Sequence, residues 1–197
     1  MTNLGDRLTL SRGQQRCEQL EEAGVALLAE GGWSAVTTRA VAERANANAG
    51  LIHYYFGGLT GLQAAIARRA GAEVTNPVVE ALLNAQGPAS ASEALGRLLP
   101  ATTANVRTLR LAVELIAGMG RDPVLGEVLR DSVRVARGKL AERMGDLYPN
   151  WTRQERAGAA ALIAALSDGL ILHYSLDNEL PAEKALTVLA QLIGGEQ

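Results

Sequence analysis

The chain has 197 residues, 48% of them apolar and 4% aromatic, with a formal net charge of −2. This apolar content excludes a disordered chain, and the length allows a sizeable core built mainly from Leu, Ala, Val and Ile. The near-neutral charge excludes a chain coated in basic surface, and the single cysteine, Cys17, excludes an intramolecular disulfide.

Residues 1–11 read as a mobile tail without the apolar run of a signal peptide. A helix follows over 12–30, where Cys17, Leu20, Ala23, Gly24, Leu27 and Leu28 recur at three- and four-residue steps. Gly31-Gly32 ends it, and Trp33 is expected to plug the core beneath the next elements. Thr37 suits an N-cap for a short helix over 38–45, which turns Val41, Ala42 and Ala45 to one face. Asn46 then stands where the chain turns sharply, because Asn tolerates the left-handed region. Asn48 can cap a second short helix, whose Leu51, Ile52, Tyr55 and Phe56 pack back on the first. Two short helices joined by a tight turn are the pattern of a helix-turn-helix, whose second helix enters the DNA major groove.

A fourth helix starts near Leu59 and carries Leu62, Ala65, Ile66 and Arg69. All six prolines (77, 88, 100, 123, 149 and 181) lie beyond it and read as punctuation between helices. They place further helices at 75–85, 91–99, 102–119, 123–147, 152–176 and 181–193. No stretch alternates with period two for long enough to form a strand, so the fold is all-α. The longest uncharged apolar stretch, within Ala157–Leu166, is too short to span a bilayer, so no membrane partner is expected. Residues 1–70 hold seven basic and six acidic residues, and 71–197 hold 12 and 15. The asymmetry has the sign of an N-terminal nucleic-acid contact, though it is small.

Two late segments stand out. Ala157, Ala161, Ala164 and Ala165 make the helix from Arg153 to Leu176 dense in small residues. Leu186, Leu189 and Ile193 give the last helix an apolar face. The two faces suit a four-helix bundle with a second copy of the chain, the alternative being that they complete the monomer core.

The N-terminal sixty residues resemble the TetR family of transcriptional regulators. The likeness rests on Gly31, Thr37-Thr38, Val41-Ala42, Ala45-Asn46-Ala47-Asn48, Gly50-Leu51-Ile52-His53-Tyr54-Tyr55-Phe56 and Leu62. It implies an all-α protein with a three-helix DNA-binding domain at 1–58 and a helical effector-binding and dimerisation domain at 59–197. Its implied partners are a pseudo-palindromic double-stranded operator DNA, an unknown small-molecule effector and a second copy of the chain. No cofactor or metal is implied, and the cytoplasm is the expected compartment, in keeping with the lone cysteine. The implied activity is repression relieved by the effector. Thr38, Arg39, Asn48, Ala49, Gly50, His53, Tyr54 and Thr60 are the candidate DNA contacts, and Arg39 and Arg44 are the cations of the motif. Candidate effector-pocket residues are Arg110, Glu114, Leu115, Met119, Met144, Trp151, Leu166, Leu170, His173 and Tyr174. The sequence departs from the family pattern at Asn46, at His53, and at Leu59, which stands where the family carries a phosphate-supporting Lys.

An enzyme is the poorer reading. The two histidines, His53 and His173, are far apart, and the sequence has no metal-spaced Cys/His set, phosphate loop or nucleophile elbow. A second alternative is a helical dimeric interaction protein whose reading head has degenerated, with Leu59 as the pointer to it.

Overall fold

The structure is a computed structural model that describes residues 4–194, with side-chain surroundings over 12–191. Every regular element among the described residues is helical, as the missing period-two pattern requires. They are α1 (Leu4–Gly31), a 3-10 turn (Trp33–Ala35), α2 (Thr38–Arg44), α3 (Gly50–Phe56), α4 (Leu59–Asn84), α5 (Pro88–Ala104), α6 (Val106–Arg121), α7 (Pro123–Leu147), α8 (Arg153–Leu176) and α9 (Ala182–Gly194).

Three expectations are corrected. The stretch 1–11 is not all tail, because α1 already runs from Leu4; no proline or glycine pair stops the helix before Gly31. Pro77 does not separate two helices but lies inside α4. Pro100 likewise lies inside α5. An interior proline costs about 3 kcal/mol. Each sits next to buried apolar side chains on its own helix, Val78 and Leu82 in one case and Leu99 in the other. Burying such a side chain contributes about 1.5–3 kcal/mol, which offsets the lost hydrogen bond. Pro88 and Pro123 stand at the first positions of α5 and α7, where the missing N–H costs nothing.

The chain divides into two compact units, Met1–Ala72 with Arg110–Arg130, and Glu73–Leu109 with Asp131–Gln197. In the first, the apolar stripe of α1 buries Leu20, Val25 and Leu28. Val41 of α2, Ile52 of α3, and Leu62 and Ile66 of α4 are fully buried in the same unit. Gly24 lets α1 and α4 approach closely: a Cβ there would lie 2.2 Å from the Ile66 Cδ1 atom. Arg69 and Glu21 form an ion pair at 3.7 Å between the same two helices.

In the second unit α9 lies along α5. Leu99, Ala182 and Leu186 form the core of that contact, and the Ser92 hydroxyl donates to the Leu186 carbonyl at 3.1 Å. Val78 and Leu82 pack with Leu140 of α7 and Ala160 of α8. Arg143 donates to the Ala85 carbonyl at 2.8 Å, closing the C-terminal end of α4. A capping box starts α8. The Thr152 N–H donates to the Glu155 carboxylate at 2.7 Å, and the Glu155 N–H donates back to the Thr152 hydroxyl at 3.3 Å. The Thr152 N–H, and the Thr152 hydroxyl donating to the same carboxylate at 2.8 Å, hold the Glu155 carboxyl below the usual glutamate range. By length and composition α8 as a whole, at 24 residues, is apolar enough to cross a membrane, which the shorter stretch Ala157–Leu166 did not suggest. Only 11% of its apolar window is buried within the chain, and Leu162, Leu172 and Leu176 are exposed.

Candidate nucleic-acid interface

Local chemistry sets the geometry from Thr37 to Leu62. The Thr37 hydroxyl accepts the Ala40 N–H at 3.1 Å and starts α2. Asn46 has φ +48°, the left-handed geometry expected of it. The Ala47 N–H donates to the Ala42 carbonyl at 2.8 Å, folding the turn onto α2. The Asn48 side-chain oxygen accepts the Gly50 N–H at 2.7 Å and steadies the first turn of α3. Gly57, at φ +70°, ends α3 with its N–H on the His53 carbonyl at 3.1 Å.

α3 is two-faced. Ile52 is fully buried, whereas Tyr54 is 79% exposed. Tyr54 meets the half-buried Tyr55 edge to face, with ring centroids 4.9 Å apart. Phe56 is also half-buried, so of the aromatic residues expected in the core only Trp33 is buried. Of the eight candidate DNA contacts, Arg39, Asn48, Ala49, Gly50, His53, Tyr54 and Thr60 are exposed and Thr38 is half-buried. They stand on the first turn of α2, on the turn, on α3 and on the first turn of α4.

The two cations differ. Arg44 forms a bidentate pair with Glu30 at 2.9 and 2.6 Å, a partner the sequence reading missed. The Glu30 hydrogen bonds raise the Arg44 pKa further above its ordinary value. Arg39 is exposed and makes no ion pair among the described residues.

The candidate effector residues are divided. Arg110, Glu114, Leu115 and Met119 belong to the first unit; Met144, Trp151, Leu166, Leu170, His173 and Tyr174 belong to the second. Glu114 is occupied with Trp33, its carboxylate accepting the Trp33 N–H at 3.2 Å. Leu115 is buried, and Met119, Arg110 and His173 are exposed. Trp151 stacks on Tyr148 with centroids 4.3 Å apart. Met144 and Leu166 are half-buried. Tyr174 and Leu170 pack on the Leu99–Ala182–Leu186 core. Leu170 also lines a cavity of about 10 Å³ with Val78, Leu95, Leu98, Leu99, Ser167 and Ile171. That is room for about one water molecule.

The candidate dimer residues divide too. Ala157 and Ala165 are exposed, and Ala161, Ala164 and Leu189 are half-buried. Ala157 and Ala161 line an open groove of about 650 Å³ between α7 and α8, beside Arg137, Arg153 and Arg156. Leu186 is a correction: it is buried against α5, because the apolar face of α9 is used within its own unit. The Ile193 side chain lies outside the described residues.

Comparison with known proteins gives two family matches. A model described as bacterial regulatory proteins of the tetR family matches residues 20–66. A model described as the C-terminal part of BetI-type transcriptional repressors matches residues 88–196. Among solved structures, one described as a transcriptional regulator from Streptomyces coelicolor A3(2) is 26% identical at a TM-score of 0.72, covering 91% of this chain and 98% of that one. A transcriptional regulator from Rhodococcus sp. Rha1 is 25% identical at a TM-score of 0.65, covering 90% and 95%. The multidrug binding protein EbrR, solved with imidazole, shares the fold at 23% identity and a TM-score of 0.63, covering 89% and 90%. No curated protein matches the chain.

Proposed function

The chain belongs to the tetR family of bacterial regulatory proteins, and from that premise we propose that it is a cytoplasmic repressor, released from its operator by a small molecule. The observation that carries this reading is α3, which buries Ile52 and presents Tyr54 and His53 to solvent on a helix entered through a left-handed Asn46. A recognition helix needs that division of faces, because one side must be rigid for the other to read base edges. Residues 1–58 act as the reading head. Thr38 and Arg39 meet phosphates beside it, and Thr60 with the free N–H groups of the first turn of α4 stands in for the family's Lys at Leu59.

The protein works as a homodimer on a pseudo-palindromic site, its two heads about 34–36 Å apart. The exposed Leu162, Leu172 and Leu176 of α8 support this, since an apolar helix with so little of its surface buried in its own chain needs a cover. The effector binds in the region 59–197. The cavity beside Leu170 is too small to hold a ligand as it stands, so binding there would open the helices around it. A ligand that prefers the opened state shifts the population away from the DNA-bound one, typically by about 1–3 kcal/mol of coupling.

The test is selection of duplexes from a randomised library, followed by fluorescence anisotropy and sedimentation. The expected result is an enriched two-fold site bound at about 10⁻⁸ M or tighter by a dimer. Failure to enrich any sequence over random DNA would favour a degenerate reading head. A monomer at micromolar concentration, or partition of the chain into lipid vesicles, would remove the dimer on α8.

A further inference from the structure

Trp33 stands at the joint between α1 and α2, and both of its N–H donors end on one residue of α6. Its indole Nε1–H donates to the Glu114 main-chain carbonyl at 2.7 Å. Its backbone N–H donates to the Glu114 carboxylate at 3.2 Å. The N-terminus of a 3-10 turn leaves N–H groups unpaired, and Gly32 before it has no side chain to cap them. The Glu114 carboxylate supplies the missing cap across 81 residues of sequence. The seat is close on both sides. A Cβ on Gly32, at φ +68°, would lie 2.8 Å from both carboxylate oxygens. A Cβ on Gly118, one turn beyond Glu114, would lie 2.7 Å from the indole nitrogen.

The joint leads directly into the reading head. The Trp33 carbonyl accepts the Val36 N–H at 3.2 Å, and the Ala35 carbonyl accepts the Thr37 N–H at 3.1 Å. Thr37 then caps α2, whose first turn carries Thr38 and Arg39. A displacement of α6 along its axis breaks both Glu114 bonds together, and the short bonded segment from Trp33 to Thr37 passes the change to α2. We infer that Glu114 is a positioning residue for DNA recognition, and that the Glu114–Trp33 contact sets where α2 and α3 sit relative to α6. The inference rests on the regulator reading above and adds the residue pair through which α6 controls the head.

The test uses the full chain carrying Trp151→Phe, which leaves Trp33 as its only tryptophan. Into it go Glu114→Ala, Glu114→Gln, Gly118→Ala, and Gly118→Ala combined with Trp33→Phe. Two probes are bound, the duplex enriched by the wild-type chain and a random duplex, while Trp33 emission and the thermal midpoint are recorded. Glu114→Ala and Gly118→Ala are expected to red-shift the emission and weaken the enriched duplex about tenfold, with the random duplex unchanged. Glu114→Gln keeps an acceptor oxygen and is expected to match the background. Trp33→Phe takes away the indole nitrogen that the methyl added by Gly118→Ala would strike, so the double variant is expected to bind better than Gly118→Ala alone. Red-shifted emission with enriched-duplex affinity within about twofold of the background would overturn the inference, and so would a parallel loss on both duplexes. A wild-type chain that enriches nothing refutes the regulator reading itself, an outcome none of the variants can produce.

Discussion

Arg39 and Arg44 are five residues apart, and only Arg39 should contribute to the salt dependence of DNA binding. Neutralising a phosphate with a cation releases condensed counterions, and log K falls with log salt at a slope of about −0.9 per phosphate contact. Arg39 is exposed and unpaired among the described residues, so it is free to make one such contact per protomer. Arg44 is held by Glu30 at 2.6 and 2.9 Å, so its charge is already met. In a dimer, Arg39→Ala removes two contacts and flattens the slope by about 1.8. Between about 50 and about 200 mM salt, a fourfold change, the wild type then loses about twelvefold more affinity than the variant. Arg44→Gln should leave the slope where it was and change stability little, since the pair is exposed. Anisotropy titrations on one duplex across four salt concentrations measure both. Equal slopes for wild type and Arg39→Ala would refute the assignment of Arg39. Loss of slope in Arg44→Gln would refute the claim that Glu30 occupies Arg44.

The remaining predictions concern stability and reactivity. Gly24→Ala places a methyl against the buried Ile66 and is expected to destabilise by about 1–3 kcal/mol in urea unfolding, with Ile66→Val recovering part of it. A stabilised Gly24→Ala would contradict the close crossing of α1 and α4. Thr152→Ala removes the cap of α8 and is expected to cost about 1 kcal/mol at pH 7. Glu155 has its pKa lowered in the folded state, so its share of that stability is present above the unfolded glutamate value and lost as pH falls through the folded one. The Thr152→Ala penalty should therefore shrink in acid, and a penalty that grows there would be wrong for this cap. Burial, with the Glu21 and Glu18 carboxylates adding to it, pushes the Cys17 thiol up. Cys17 should alkylate more slowly at pH 8 than a small free thiol, and faster reaction would point to a sensor.

What could be read from the sequence was what neighbouring residues decide. Thr37 as a cap, Asn46 in the left-handed region and the Gly31-Gly32 break are local choices, and each appears in the structure where spacing placed it. Pro77 and Pro100 were misplaced because the cost of a proline is local while the burial of Val78, Leu82 and Leu99 is tertiary. The Glu30–Arg44 pair escaped because a break lies between the two residues, and no helical spacing connects them. Leu186 shows a further limit. Periodicity says that a face of α9 is buried, but not whether α5 or a second copy buries it. Glu114 looked like a pocket residue because nothing local shows that Trp33 is its partner.

The Asn48 amide meets the operator already oriented. One lone pair of its side-chain oxygen takes the Gly50 N–H at 2.7 Å; the second lone pair and the NH₂ group remain for DNA. The familiar bidentate reading of adenine by Asn sets an acceptor for N6–H beside a donor for N7 in one plane. Asn48 keeps both groups, but the Gly50 bond ties their plane to the first turn of α3, so the base has to come to the amide.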